Sequence, residues 1–289
     1  MSVLKKTTTK MASAVLHPTT SKFNHTIVFG FERDFDEESF MQWMLHNWTL
    51  CFWYSALYVI LIFGGKYLMQ KRPRFDLRPA LALWSAILAL FSIFGAVRTL
   101  PEMVYVIEKY GFTYSVCNPS YFNSPTAFWA FMFTISKVYE LGDTIFIVLR
   151  KQQLIFLHWY HHISTLIYVW YSYTDHLGPG RWFMVMNYVV HSFMYSYYAL
   201  RAMRFRIPKW ISISITTMQI TQMILGTTVN VWAYDVKSRG EYCQATLQNL
   251  RWSLMMYVSY WFLFSYFFYN AYLKGSKEPS MEKVQKKID

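Results

Sequence analysis

The sequence predicts an all-α membrane protein with seven transmembrane helices, and three observations support this fold class. Of the 289 residues, 54% are apolar, 20% are aromatic and only 15% are charged, which is unusual for a soluble domain. Seven stretches reach the roughly 20 mostly apolar residues that a helix needs to cross a bilayer core. The connections between these stretches alternate between strongly and weakly basic, as expected of a multi-span protein.

The predicted spans divide the chain into three parts. A segment over 1–47 precedes the first apolar stretch and has no apolar core of a cleavable signal peptide, so we expect the first span to direct insertion itself. A seven-helix transmembrane domain over 48–273 follows, and a tail over 274–289 ends the sequence. The spans are, in order, 48–69, 80–97, 126–149, 154–173, 182–200, 210–233 and 252–273.

Basic connections follow the first, third, fifth and seventh spans. They carry Lys66, Lys71, Arg72, Arg74, Arg78, Arg150, Lys151, Arg201, Arg204, Arg206, Lys209 and Lys274. The less basic connections, after the other spans, carry Arg98, Lys109, Arg181, Lys237, Arg239 and Arg251. By the positive-inside rule the first set faces the cytosol, so the N-terminus is lumenal and the tail cytosolic. The lysines of the N-terminal segment argue weakly for the opposite orientation, with a cytosolic N-terminus. The net charge of +12 indicates this loop pattern rather than nucleic-acid binding.

Short motifs predict residence in the endoplasmic reticulum. Lys286 and Lys287 stand fourth and third from the end, the pattern of a cytosolic dilysine retrieval signal, with an ordinary basic tail as the alternative. Cys117 and Cys243 fall in connections predicted to be lumenal, where a disulfide could persist, although sequence alone leaves their pairing open. Asn24 begins an Asn-His-Thr acceptor for glycosylation on the same side.

The third span carries charged residues at membrane depth, where each costs about 2.5–3.5 kcal/mol on insertion scales and is a functional candidate. Lys137, Glu140 and Asp143 recur at helical spacing on one side of this span. Lys137 and Glu140, three residues apart, could neutralise each other, and a structural ion pair between helices is the alternative interpretation.

The fourth span places three imidazoles over one patch of a helix. His158, His161 and His162 are spaced i, i+3 and i+4. A single buried histidine is usually structural, but three together in an apolar helix favour a reactive site or a metal site.

The fifth and sixth spans add further polar groups. His191 lies in the middle of the fifth span, with Tyr195 and Tyr198 one and two turns beyond, where packing and interface anchoring are the alternative role of the tyrosines. Gln219 and Gln222 lie along one stripe of the sixth span, where they would bind substrate or form interhelical hydrogen bonds.

Depth places these groups together. At 1.5 Å per residue, His158 lies about 8 Å, Asp143 about 10 Å, and His191 and Gln219 about 15 Å from the cytosolic ends of their spans. The sequence therefore predicts one pocket that opens to the cytosol and continues among apolar walls toward the lumen.

Basic residues surround the predicted mouth of this pocket. Arg150, Lys151 and Arg204 would suit a phosphate-rich head group, and anionic lipid is the alternative partner. A long-chain acyl-CoA fits such a pocket. Its anionic carrier would lie in the cytosol, its carbonyl among the histidines, and its hydrocarbon tail in the apolar part of the pocket. Because histidine can act as nucleophile, base or oxyanion donor, the predicted chemistry is acyl transfer.

Four motifs on successive spans resemble the signature set of the very-long-chain fatty-acid elongases. They are Lys137-x-x-Glu140-x-x-Asp143-Thr144, His158-x-x-His161-His162, His191-x-x-Met194-Tyr195-x-Tyr197-Tyr198 and Thr216-x-x-Gln219-x-x-Gln222. At Gly142 and Trp159 the sequence resembles the branch of this family that acts on saturated and monounsaturated acyl chains. The resemblance implies six helices ringing a tunnel, and condensation of acyl-CoA with malonyl-CoA to 3-ketoacyl-CoA.

The resemblance also implies roles for individual residues. His161 would attack the thioester, His191 would face the same carbonyl, and His158 and His162 would orient His161. Asp143 or Glu140 would support the histidines, and Lys137, Tyr195, Tyr198, Gln219 and Gln222 would contact substrate or pantetheine. No cofactor or metal is implied beyond the two substrates. The implied partners are the ketoacyl reductase, dehydratase and enoyl reductase of the elongation cycle, while homo-oligomerisation is left open.

Two other classes share parts of this pattern. A membrane di-iron desaturase or hydroxylase uses the same histidine box as metal ligands, but it needs around eight ligands. This chain has 8 histidines in all, and His17, His25, His46 and His176 lie outside the predicted site. A lipid transporter or acyl-CoA binding protein would hold the same substrate without reacting.

Overall fold

The structure is a computed structural model, and it describes residues 23–123 and 125–274. Lys286 and Lys287, the predicted retrieval signal, lie outside the described residues. The described part is almost entirely helical and has no β-strand, in agreement with the predicted all-α fold.

Within residues 23–123 and 125–274, ten α-helices and two short helical turns follow one another. The α-helices are α1 (Gly30–Arg33), α2 (Glu37–Asn47), α3 (Leu50–Met69), α4 (Arg78–Cys117), α5 (Pro125–Glu140), α6 (Asp143–Leu149), α7 (Phe156–Tyr173), α8 (Gly180–Ala202), α9 (Lys209–Ser238) and α10 (Leu247–Phe268). A 3-10 turn, Ser120–Asn123, precedes α5, and a π-helical turn, Tyr269–Leu273, follows α10. Each of the seven predicted spans is therefore helical. Among the described residues, two helices, α3 and α4, are long and apolar enough to cross a membrane by length and composition alone.

Helix α4 is longer than predicted. The sequence indicated a span over 80–97 with Arg98 and Lys109 in the following connection, but both residues lie inside the helix. Arg98 forms an ion pair at 2.6 Å with Glu32, so its charge does not end the helix. The backbone turns at Gly111, whose φ of 84° favours glycine, and the last residues of α4 take a new direction there.

The predicted third span is two helices rather than one. Helix α5 ends at Glu140 and α6 begins at Asp143, with Leu141 and Gly142 between them. A Cβ on Gly142 would lie 2.6 Å from the ring of Trp84, so only glycine allows α4 to approach this break closely.

The described part of the N-terminal segment, 23–47, holds two helices that were not predicted. Helix α2 begins at an N-cap, Asp36, whose side chain accepts a hydrogen bond from the backbone N–H of Ser39. Ahead of it, Glu32 is buried and accepts hydrogen bonds from Arg98 and from the indole of Trp129. These contacts fasten the segment to α4 and α5.

Three segments meet at the end of the bundle where α4 ends and α8 begins. Cys117 and Cys243 form a disulfide there. The N–H of Gly178 donates to the carbonyl of Gln244, whose own N–H donates to the carbonyl of Cys117. A Cβ on Gly178 would lie 2.7 Å from the backbone of Cys117, so this close approach requires glycine.

Arg181 completes this junction. It was predicted to lie in a connection, but it lies in the first turn of α8 and is fully buried. Its guanidinium binds the carboxylate of Glu102 at 3.0 and 3.1 Å and donates to the carbonyls of Ser115 and Asn118. A charge buried this deeply is tolerated because it is paired and hydrogen-bonded.

Candidate functional site

One large cavity, about 920 Å³ in volume, lies within the helix bundle. The described residues that line it come from α4, α5, α6, α7, α8, α9, α10 and adjoining loops, and none come from α3. The predicted site residues on its wall are Glu140, Asp143, Arg150, His158, His161, His162, His191, Tyr195, Tyr198, Arg204, Gln219 and Gln222. Residues far apart in the sequence therefore meet around one space.

The three histidines of α7 all face this cavity, but their ring contacts differ. His158 and His162 rings stand 4.5 Å apart, and His161 lies 5.7 Å from His162. His161 also packs against the ring of Tyr260 at 4.8 Å. The ring nitrogens of His161, like those of His162, form no hydrogen bond with any residue in the described part of the chain.

His158 is held by a relay that reaches α3. Its Nε2 lies 2.9 Å from Oγ1 of Thr144, and that hydroxyl lies 2.7 Å from the hydroxyl of Tyr58. Thr144 and Tyr58 are both buried. The hydrogen bond to Thr144 orients the ring of His158 and occupies its Nε2 atom.

His191 is held by a second buried network. Nζ of Lys137 lies 2.6 Å from Oε1 of Glu140 and 2.9 Å from Oδ1 of Asn187. Nδ2 of Asn187 lies 3.1 Å from Nε2 of His191. The predicted Lys137–Glu140 pair therefore exists. Lys137 does not line the cavity, so its expected contact with substrate is corrected to a contact with Glu140 and Asn187. Its contact with His191 runs through Asn187.

Asp143 has partners other than the predicted ones. Its Oδ1 accepts from the indole N–H of Trp84 at 2.7 Å, and its Oδ2 accepts from the hydroxyl of Tyr195 at 2.7 Å. Among the described residues Asp143 therefore forms no direct hydrogen bond with a histidine, and its link to His191 runs through Tyr195, whose ring lies 5.3 Å from that of His191. Glu140 comes nearer to a histidine, with Oε1 3.9 Å from Nδ1 of His191.

The glutamines of α9 line the same cavity from a helix that packs against α8. Gln219 and Gln222 line the cavity, and Nε2 of Gln219 donates to Sδ of Met194 at 3.3 Å. Thr216, from the same motif, does not line it and instead contacts the hydroxyl of Tyr272. Both amides are therefore placed to bind a polar group inside the cavity.

Five arginines gather at one end of the cavity. Arg150 and Arg204 were predicted there, and the structure adds Arg78, Arg201 and Arg206. Lys151 was also predicted at this mouth, but its Nζ donates to the carbonyls of Gln70 and Arg72 and it does not line the cavity. The left-handed backbone of Lys151, with φ of 54°, directs its side chain to that loop.

Sequence reasoning missed several site residues. Asn187 could have been found, because it stands one turn before His191 on the same helix and is polar in an apolar segment. Tyr58 and Trp84 carry no comparable signal, since they touch the site from helices that are distant in sequence. Asn24, the predicted glycosylation site, is exposed as that role requires.

The histidines do not converge as a metal site would require. Among residues 23–123 and 125–274, no three side chains of His, Cys, Asp or Glu are grouped so as to hold a metal ion. Instead, a ring with unoccupied nitrogens stands in a water-accessible cavity beside amide, hydroxyl and imidazole groups. Such an arrangement can attack a carbonyl and stabilise the oxyanion that forms.

Comparison with known proteins identifies the family. A model of the ELO family, described as the GNS1/SUR4 family, matches residues 43–280. Very long chain fatty acid elongase 6 of Drosophila melanogaster is 53% identical over 254 residues, which are 86% of this chain and 80% of that protein. The human elongase 6 is 52% identical over 246 residues, 85% of this chain and 92% of its own. Human very long chain fatty acid elongase 3 is 39% identical over 247 residues, 85% of this chain and 90% of its own. These matches confirm the resemblance of the four motifs, and the chain belongs to the ELO family of fatty acid elongases.

Proposed function

We propose that this protein is the condensing enzyme of fatty-acid elongation, a 3-ketoacyl-CoA synthase that prefers saturated and monounsaturated acyl-CoA. The relatives that match over most of their length are named as very long chain fatty acid elongases. The observation that supports the chemistry best is the cavity itself, in which His161 and His162 offer unoccupied ring nitrogens while His158 and His191 are each hydrogen-bonded to another side chain. Of the two unoccupied rings, we assign the attack to His161, the role that the family resemblance implies for it.

The first half-reaction transfers the acyl group to the enzyme. A ring nitrogen of His161 attacks the thioester carbonyl, the C–S bond breaks, and the CoA thiolate leaves with the proton of the other ring nitrogen. Gln219 and Gln222 line the same cavity and are proposed as donors to the carbonyl or to the pantetheine amides. The product is a neutral acyl-imidazole.

The second half-reaction forms the new carbon–carbon bond. Malonyl-CoA loses carbon dioxide, and the electron pair of the broken bond becomes an enolate that attacks the acyl carbonyl. The N–C bond to His161 then breaks, and the ring recovers one proton from solvent. The overall products are 3-ketoacyl-CoA, CoA and carbon dioxide. His191, on the same cavity wall, is proposed to face the reacting carbonyl.

We further propose how the molecule lies in the endoplasmic reticulum membrane. Seven spans, six of them around a tunnel, place the five arginines in the cytosol, where they bind the phosphates of CoA. The N-terminus is lumenal, and the tail with Lys286 and Lys287 is cytosolic. The 3-keto product then passes to a reductase, and dehydratase and enoyl reductase steps complete the cycle.

The test is condensation by purified full-length protein in lipid vesicles. We expect palmitoyl-CoA and labelled malonyl-CoA to give 3-ketoacyl-CoA and carbon dioxide in equal amounts. Binding or transfer of acyl-CoA between vesicles without ketoacyl product would instead indicate a carrier. Stoichiometric iron in the purified protein, with loss of activity on chelation, would support the desaturase class and overturn the proposal.

A further inference from the structure

A second, smaller cavity lies deeper in the bundle than the histidines. Its volume is about 50 Å³, and residues of α5, α7 and α8 line it, as they line the main cavity. On α7 the wall of the main cavity ends at His162, and the wall of the small cavity begins at Tyr168 and continues to Tyr173. The small cavity therefore lies on the side of the histidines that is away from the arginines. We call it the deep cavity.

The walls of the two cavities come closest on α8 and are further apart on α7, where His162 and Tyr168 are six residues, about 9 Å, apart along the helix axis. On α8, Asn187 lines the main cavity and Met184 lines the deep one, and these residues are one turn, about 4.5 Å, apart along the helix axis. The Met184 side chain is unbranched and flexible, so it can move aside at low cost. An acyl chain that extends from His161 away from the arginines would reach Met184 and then the deep cavity.

The deep cavity contains a buried hydroxyl that has no partner. The Tyr173 hydroxyl forms no hydrogen bond with any described residue, and solvent cannot supply one readily because the residue is only 5% exposed. Leaving such a group unpaired costs about 1–3 kcal/mol. An oxygen atom that accepts its hydrogen bond would remove this cost.

The remaining walls can complete the coordination of that oxygen atom. Thr134 and Ser172 also line this cavity, and their hydroxyls donate to backbone carbonyls, which leaves the hydroxyl oxygens able to accept. One water molecule occupies about 30 Å³ in the liquid and needs two to four polar partners when buried. The deep cavity meets both requirements.

We propose that the deep cavity binds one hydroxyl oxygen at Tyr173: a water molecule in the free enzyme, and the terminal hydroxyl of an ω-hydroxyacyl chain in the substrate complex. The inference rests on the proposed function, because the chain must start at His161. A methyl end that enters this cavity expels the water and leaves Tyr173 unpaired, whereas a terminal hydroxyl replaces the lost hydrogen bonds. The enzyme therefore accepts long ω-hydroxyacyl chains better than methyl-ended chains of equal length.

The test compares two series of acyl-CoA of increasing length, one methyl-ended and one ω-hydroxylated, with full-length enzyme in vesicles. At lengths that reach the deep cavity, we expect the kcat/KM of the ω-hydroxy chain to exceed that of the methyl chain by about tenfold, as one lost hydrogen bond predicts. Short chains should show no such preference. Identical length profiles for the two series overturn the inference, while absence of ketoacyl product from every chain overturns the proposed function instead.

Variants and a structure give independent readouts. Tyr173→Phe should abolish the preference for ω-hydroxy chains and raise the relative rate of the longest methyl-ended chains. Tyr171→Phe, on the same helix and outside both cavities, is the matched control and should keep the preference. A high-resolution structure of the free enzyme should hold a water within hydrogen-bond distance of Tyr173, and a dry cavity contradicts the inference even where the Tyr173→Phe protein does not fold.

Discussion

The proton of His191 is placed by its neighbours. The ammonium of Lys137 can only donate, so the atom of Asn187 that faces it must be the carbonyl oxygen. The amide nitrogen of Asn187 then faces Nε2 of His191 and donates to it. His191 therefore carries its proton on Nδ1, on the side of Glu140. Lys137 and Asn187 act as positioning residues that select one tautomer of a ring in the cavity.

Replacement of Asn187 tests this tautomer. Asn187→Leu leaves Nε2 without a donor, and we expect kcat to fall by about 10²-fold with a smaller change in KM, because the reacting groups lose their alignment. Asn187→Asp is the informative companion, since a carboxylate still binds Lys137 but accepts from His191 and reverses the tautomer. Steady-state kinetics and thermal melting measure both. If Asn187→Asp restores the wild-type rate, Asn187 only fills space and pairs with Lys137.

At this scale the sequence predicts reactive groups better than their partners. His158, His161 and His162 reveal themselves because helical spacing places them on one patch of an apolar helix. The contact between Tyr58 and Thr144 joins residues 86 positions apart, and that between Trp84 and Asp143 joins residues 59 positions apart. No periodicity within one helix relates such pairs, so the sequence does not show that Trp84 and Tyr195 are the direct partners of Asp143.

Among the elements, the junction at the end of α4 depends on covalent and ionic contacts together. The disulfide joins residues 126 positions apart, and the turn at Gly111 aims the last residues of α4 at their partners. Arg181 binds the carbonyls that the end of α4 leaves without helical partners. The junction closes the bundle at the end opposite the arginines.

Removal of the disulfide should destabilise this junction. We expect the double variant Cys117→Ser, Cys243→Ser to lose about 2–5 kcal/mol of unfolding free energy. Thermal unfolding in detergent, with and without a reductant, measures the effect. Reductant should lower the Tm of the wild type and of Cys51→Ala, whose thiol is free and buried, but not that of the double variant. A wild-type Tm that ignores the reductant contradicts the assignment.

The N-terminal segment should loosen in acid through Glu32. Burial opposes ionisation of this carboxyl, but hydrogen bonds from Arg98, Trp129 and the backbone of Phe29 outweigh it, so the pKa of Glu32 is lower than its ordinary 4.5. A carboxylate with a lowered pKa stabilises the fold above that ordinary value, and this stability is lost as the pH falls through the folded pKa. The contribution of Glu32 to stability is therefore lost at pH values below 4.5.

Glu32→Gln measures this contribution. We expect it to lower the free energy of unfolding near neutral pH by about 1–3 kcal/mol, and the difference from the wild type should vanish in strong acid. Asp34→Asn, at an exposed neighbouring carboxylate, is the control and should follow the wild type. A Glu32→Gln protein with an unchanged Tm at neutral pH would show that the pair adds nothing.

Helix positions were predictable, whereas their ends and breaks were not. Apolar runs predict the position of each span because a helix can bury them. Helix α4 continues past its expected end through Arg98, whose charge is neutralised by Glu32. The break between α5 and α6 depends on Trp84 packing against Gly142, a contact between helices. Local patterns carry no information about either tertiary contact.

At the scale of the whole molecule, charge and polarity are separated along the bundle. Five arginines stand at the mouth, the reactive imidazoles lie within, and an apolar core that contains the deep cavity follows. This gradient matches a substrate with an anionic carrier, a central carbonyl and a hydrocarbon tail. The sequence predicted the order from span depth and loop charge, and it could not predict which basic side chains turn into the cavity.

The arginines should bind both substrates through their shared carrier. We expect the double variant Arg201→Gln, Arg206→Gln to raise KM for acyl-CoA and malonyl-CoA by about tenfold and to reduce the dependence of KM on salt, since charge-assisted contacts to phosphate are lost. Arg239→Gln, at an exposed site outside the cavity, is the control. Equal KM values for the double variant and the control would remove the arginines from substrate binding.

The central claim is that His161 carries the acyl group between the two half-reactions. Purified protein is incubated with labelled acyl-CoA in the absence of malonyl-CoA, and the peptide that holds His158, His161 and His162 is analysed by mass spectrometry. The account predicts one CoA released per enzyme and one acyl group on this peptide, localised to His161, discharged by malonyl-CoA and absent from His161→Ala. Condensation at a normal rate with no CoA released before malonyl-CoA is added, or in the His161→Ala protein, would contradict it.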